Sequence, residues 1–89
     1  MPLISTFFGI LIKMYFNDDD KHHKPHFHAK YAEFEAAIDF DGNILAGTFP
    51  PNKLKLVVAW AEIHKDELAA LWNIMQTSDE YFKIRGLDS

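Results

Sequence analysis

Four of the five histidines of this 89-residue chain fall within the seven residues His22-His23-Lys24-Pro25-His26-Phe27-His28. On a strand, side chains two residues apart leave the same face about 6.5–7 Å apart at Cα. His26 and His28 can therefore converge on one metal ion. His22 or His23, from the preceding loop, can supply a third ligand, and one of Asp18–Asp20 a fourth. Imidazole and carboxylate donors suit Zn²⁺, Ni²⁺, Cu²⁺ or Fe²⁺. The same residues also suit metal-free proton transfer. A base, an acid and a cation suffice to cleave RNA, and His26, His28 and Lys30 or Lys24 provide them. Asp39, on the next strand, can fix the tautomer of His26. The first chemistry needs a divalent transition metal such as zinc; the second needs no cofactor. The plainer alternative is a solvated sheet face on which Lys30–Glu35 is an ordinary cross-strand pair worth a few tenths of a kcal/mol.

Either chemistry requires a hairpin. Suppose Pro25–Tyr31 and Phe34–Phe40 are strands joined by a turn at Ala32-Glu33. Tyr31 then faces Phe34, Lys30 faces Glu35, Ala29 faces Ala36, His28 faces Ala37, Phe27 faces Ile38 and His26 faces Asp39. The large apolar residues fall on one face and the charged residues and histidines on the other, which a slip of one residue would scramble. An alternating segment at Phe8–Phe16 predicts an earlier strand. Asp41-Gly42 predicts a second hairpin into Asn43–Thr48. After Pro50-Pro51, the residues Leu54, Val57, Ala61, His64, Leu68, Leu71 and Met75 recur at helical spacing and predict one long helix across the sheet. A break at His64-Lys65-Asp66, with Asp66 as cap, is the alternative. A second stripe, Leu56, Trp60 and Ile63, is available for a subunit interface, and Tyr81–Ile84 can form a final strand. The expected fold is α+β: an antiparallel meander of three to four strands, one long helix packed on a face and a short C-terminal strand, in a single domain over residues 1–89.

Composition narrows the function classes. Net charge is −4 with neutral histidines, which is not the balance of a dedicated nucleic-acid binder. Residues 21–30 nevertheless hold Lys21, His22, His23, Lys24, His26, His28 and Lys30, a local run of groups that are or can become cationic. The absence of cysteine excludes disulfides and thiolate metal sites and makes the cytoplasm the expected compartment. The apolar run Phe7–Ile12 is far short of a bilayer span of about 20 residues and reads as a buried strand. The sequence has no phosphate loop, nucleophile elbow, His-Glu-x-x-His helix or helix-turn-helix pattern.

Several segments together resemble a known family. They are Ile4-Ser5-Thr6-Phe7-Phe8-Gly9-Ile10, His22–Ala29, Leu45-Ala46-Gly47 before Pro50, and the helix Leu54–His64. These look like the short bacterial family termed domain of unknown function 4160. The resemblance covers nearly the whole chain, and Pro-His-Phe-His is its most specific part. Many members carry two prolines where Lys24-Pro25 stands here. The resemblance implies a small bacterial protein, the toxin-like half of a toxin–antitoxin-type gene pair with a small cognate partner protein, and it puts His26 and His28 at the motif's centre. It carries over no catalytic residues. Three expectations follow. The first is a toxin-like protein acting on RNA through His26, His28, Asp39 and Lys30. The second is a metal-binding module using His22, His23, His26 and His28. The third is an interaction domain that forms homo-oligomers, or binds a partner chain, through the apolar helix.

Overall fold

The computed structural model describes residues 2–16 and 24–89. Five strands, β1 (Leu3–Phe7), β2 (Ile10–Lys13), β3 (His26–Tyr31), β4 (Phe34–Asp39) and β5 (Ile44–Thr48), precede two helices, α1 (Pro51–Ile63) and α2 (Lys65–Thr77). The strands form one antiparallel sheet in the order β1-β2-β3-β4-β5, and the fold is α+β. The six β3–β4 pairs, from His26↔Asp39 to Tyr31↔Phe34, are those the hairpin pattern predicts.

The sheet has more strands than expected because Leu3–Phe7, ahead of the predicted strand Phe8–Phe16, forms β1 and pairs with β2, the Ile10–Lys13 part of that segment. The chain turns at Phe8-Gly9, where both φ angles are positive (50° and 79°), the conformation that matches a two-residue hairpin turn to the strand twist. The run Phe7–Ile12 is thus two strand ends and a turn. At the β4–β5 pair the register shifts between Ala37 and Ile38, and Gly47 sits at φ +86°. A Cβ there would lie 2.2 Å from the Glu35 carbonyl oxygen. Gly47→Ala is therefore expected to lower stability by about 2 kcal/mol, read as a reduced urea midpoint at unchanged m-value; an unchanged midpoint would reject the assigned backbone.

One face of the sheet, carrying Ile10, Ile12, Phe27, Ala29 and Ile38, builds the core with Val57, Trp60 and Ala61 of α1 and Leu68, Leu71 and Met75 of α2. The expected long helix breaks at His64, whose φ and ψ are −109° and 26°. His64 itself, not Asp66, occupies the N-cap of α2, and its Nδ1 meets Glu67 across the first turn. Asp66 and Glu67 sit in that turn, where the helix dipole favours negative charge.

The stripe Leu56, Trp60 and Ile63 is not one surface. Trp60 is fully buried, with its ring 5.4 Å from Phe7 and 5.6 Å from Phe27, while Ile63 remains 65% exposed. The reason is the C-terminal segment, which closes over α1. Trp60 Nε1 donates to the Arg85 carbonyl at 2.9 Å, and Ile84 is buried. The predicted strand Tyr81–Ile84 does not form. Instead residues 84–88 run beside β1 in the same direction, held by Ile84 N–H to the Ile4 carbonyl (2.8 Å) and Phe8 N–H to Asp88 Oδ2 (3.2 Å). No helix among the described residues is long and apolar enough to cross a membrane.

Candidate functional site

Lys24-Pro25 leads into β3, and Pro25 stands just before the first paired residue, where its missing N–H costs no ladder bond. The turn carries the Lys24 carbonyl under the next ring, and His26 Nδ1 donates to it at 2.7 Å. A carbonyl only accepts, so Nδ1 holds the proton and a neutral ring keeps its lone pair on Nε2. His26 is 1% exposed. Its ring centroid lies 5.4 Å from Trp72 of α2 and 5.2 Å from His28, the latter edge-on at 68°.

His28 is half-buried and packs on Tyr15 with 4.4 Å between ring centroids. Across β2 it faces Lys13; across β4 it faces Ala37, which is buried. Tyr15 is fixed from behind, because Gln76 Nε2 of α2 donates to its carbonyl at 3.1 Å. The second helix thus braces both histidines, through Trp72 on one side and Gln76 on the other.

Asp39 lies opposite His26, as the register requires, and is buried. Its Oδ1 accepts the backbone N–H groups of Asp41 (2.9 Å) and Asn43 (2.8 Å). Its Oδ2 accepts Asn43 Nδ2 (3.1 Å) and the Lys24 ammonium (2.9 Å). Burial pushes this carboxyl up, but the Lys24 bond and the three bonds from Asn43 and Asp41 together outweigh it and hold the group at about 2. The bond to Asp39 raises the Lys24 ammonium above its ordinary value. Asp39 therefore pins the β4–β5 turn and, through Lys24, the segment whose carbonyl orients His26.

Lys30 shares the face of His28 two residues further along, between Leu11 and Glu35. Lys24 is the lysine at the His26 end. His22 and His23 lie outside the described residues, as do Asp18–Asp20. Among the described residues no group of three or more His, Asp or Glu side chains is placed to hold a metal ion.

Three neighbours of the histidine pair escape a reading by motif. Lys13 ends β2 and Tyr15 follows two residues beyond it, and both could have been found by pairing that strand with β3. Trp72, eight residues past His64, could not, because its place depends on where the helix breaks.

No curated protein and no solved structure is significantly similar to this sequence. Residues 9–73, which carry four of the five strands, the histidine motif, all of α1 and the first part of α2, match the family described as Domain of unknown function (DUF4160), and the chain belongs to that family.

Proposed function

We propose that this chain is the toxin-like half of a bacterial toxin–antitoxin-type gene pair and acts on RNA in the cytoplasm, with His28 as the group that meets the substrate. The observation that supports this most is the pairing of a partly exposed imidazole with a buried one of fixed tautomer, 5.2 Å apart on one sheet face. His28 takes the proton of a ribose 2′-hydroxyl. The 2′ oxygen attacks phosphorus, and the nearby ammonium groups, Lys13 opposite His28 and Lys30 beyond it, offset the charge that develops on the phosphoryl oxygens. The bond to the 5′ oxygen breaks, and that oxygen takes the proton back from the imidazolium. His26, at 1% exposure, serves as a positioning residue behind His28.

Expression of the protein is expected to arrest growth, and His28→Ala to restore it. On a fluorogenic RNA the same variant should lose about 10²–10⁴-fold in rate. Undiminished toxicity from a folded His28→Ala protein would end this reading.

One observation favours a second reading. A histidine that gives its Nδ1–H to a backbone carbonyl has the outer-shell bond typical of metal-ligating histidines, in which Nε2 is the coordinating nitrogen. On that reading His26 and His28, joined by His22 or His23, hold a divalent transition metal such as zinc. Elemental analysis after purification with added zinc separates the two. Stoichiometric metal lost in both His26→Ala and His28→Ala supports the second; RNA cleavage indifferent to chelators supports the first.

A further inference from the structure

Residues directly opposite each other in a ladder share a face of the sheet. Leu3 pairs with Lys13 and Lys13 with His28, so the three form one row across β1, β2 and β3; Thr6, Leu11 and Lys30 form the next. The row continues past β1. Ile84, whose N–H donates to the Ile4 carbonyl, is buried in the core. Its neighbours Lys83 and Arg85 therefore turn to the opposite face, that of His28, and both are exposed. With Leu3 and Thr6 they line an open groove of about 200 Å³. β1, β2, β3 and residues 83–87 contain no carboxylate side chain. Asp88 is engaged at the β1–β2 turn by the Phe8 N–H, and the acids of this face begin on β4, with Glu35 and Asp39. On a chain of net charge −4, Lys13, Lys30, Lys83 and Arg85 thus gather on one side of the sheet, between His28 and the β1 edge.

We propose, resting on the reading of His28 as the group that meets RNA, that this strip is a phosphate track for single-stranded RNA. The strand crosses the sheet from the scissile bond at His28, over Lys13, to Lys83 and Arg85. Neighbouring strands lie about 4.8 Å apart, so the track covers about 14 Å, three inter-strand spacings, and reaches phosphates beyond the one that reacts. Lys83 and Arg85 therefore hold the substrate by its backbone, independently of base sequence. Charge also selects a single strand over a duplex. The exposed Glu35 beside the track, on β4, repels a second row of phosphates laid alongside the first.

The test uses the full chain and a ten-nucleotide 2′-O-methyl RNA, which cannot be cleaved because its 2′ oxygen carries no proton. Binding is followed by fluorescence anisotropy across a salt series. Lys83→Ala/Arg85→Ala is expected to weaken binding about tenfold. It should also reduce the slope of log affinity against log salt by about 1.4, two cations at about 0.7 each. Arg85→Ala keeps the backbone carbonyl that accepts the Trp60 Nε1–H, so the C-terminal segment stays in place. Lys53→Ala/Lys55→Ala removes the same charge from α1, on the core side of the sheet, and should leave affinity and slope unchanged. Equal losses in the two double variants overturn the track, as does a parent that fails to bind the decamer at low salt or binds the matching duplex more tightly. Cleavage of ordinary RNA by the parent and by His28→Ala is scored separately. A protein that binds the decamer through Lys83 and Arg85 but leaves ordinary RNA uncut keeps the track and loses the catalytic reading.

Discussion

Trp60→Ala is expected to remove about 3–5 kcal/mol of stability, much of the roughly 5–15 kcal/mol that holds a domain of this size folded. Trp60 is the largest fully buried side chain, in contact with Phe7 from the β1 end and Phe27 from β3. Truncation leaves a cavity where three elements meet. It also removes the donor to Arg85, and with it one of the few bonds that hold the C-terminal segment over α1. Two effects should therefore appear together: a large drop in the urea midpoint, and faster amide exchange at Ile84 and Phe8 than elsewhere in the sheet. Trp60→Phe separates them. It keeps most of the ring contact but not the Nε1 donor. About 1–3 kcal/mol should be lost, with the exchange effect at Ile84 retained. If Trp60→Ala left the midpoint within about 0.5 kcal/mol of the parent, as a surface substitution does, the core described above would be wrong.

That residue also shows where sequence reading stops. Periodicity places Trp60 on a helix, but it cannot tell a stripe that faces solvent from one that a distant segment will cover. The cover comes from residues 84–86, which show no period of their own and hold their place with one backbone bond to β1 and one side-chain bond from α1. The β3–β4 hairpin was legible for the opposite reason. Its strands are adjacent in sequence and of equal length, and its faces differ chemically, so register, the shared face of His26 and His28 and the position of Asp39 all followed from alternation. The break at His64 lies between these cases. Apolar spacing continues through it, while the acidic residues at 66 and 67 mark a new helix start. Trp72, which braces His26, could be placed only once that break was known.

Asp39 joins the fold to the site, and its substitution tests both. The carboxylate accepts four hydrogen bonds while buried, and the hydrogen bonds of a buried charged group are the strong ones. Asp39→Ala is expected to lower stability by on the order of 3 kcal/mol at neutral pH. The Asp39 carboxyl stands at about 2 in the folded protein, below its unfolded value near 3.8. Its contribution is thus fully present above about pH 4 and is lost as pH falls through about 2. The difference in stability between parent and Asp39→Ala should accordingly shrink across that window and stay level from pH 5 to 8. Lys24→Met should cost far less than Asp39→Ala, because the ammonium is half exposed while the three bonds from Asp41 and Asn43 remain. Both substitutions should nevertheless loosen the Lys24 carbonyl under His26, read as exchange broadening of the His26 Nδ1–H resonance. A stability difference that kept its full size down to pH 2 would show that the carboxylate is not what these bonds serve. An unaltered His26 signal in both variants would show that Asp39 holds the turn without holding the site.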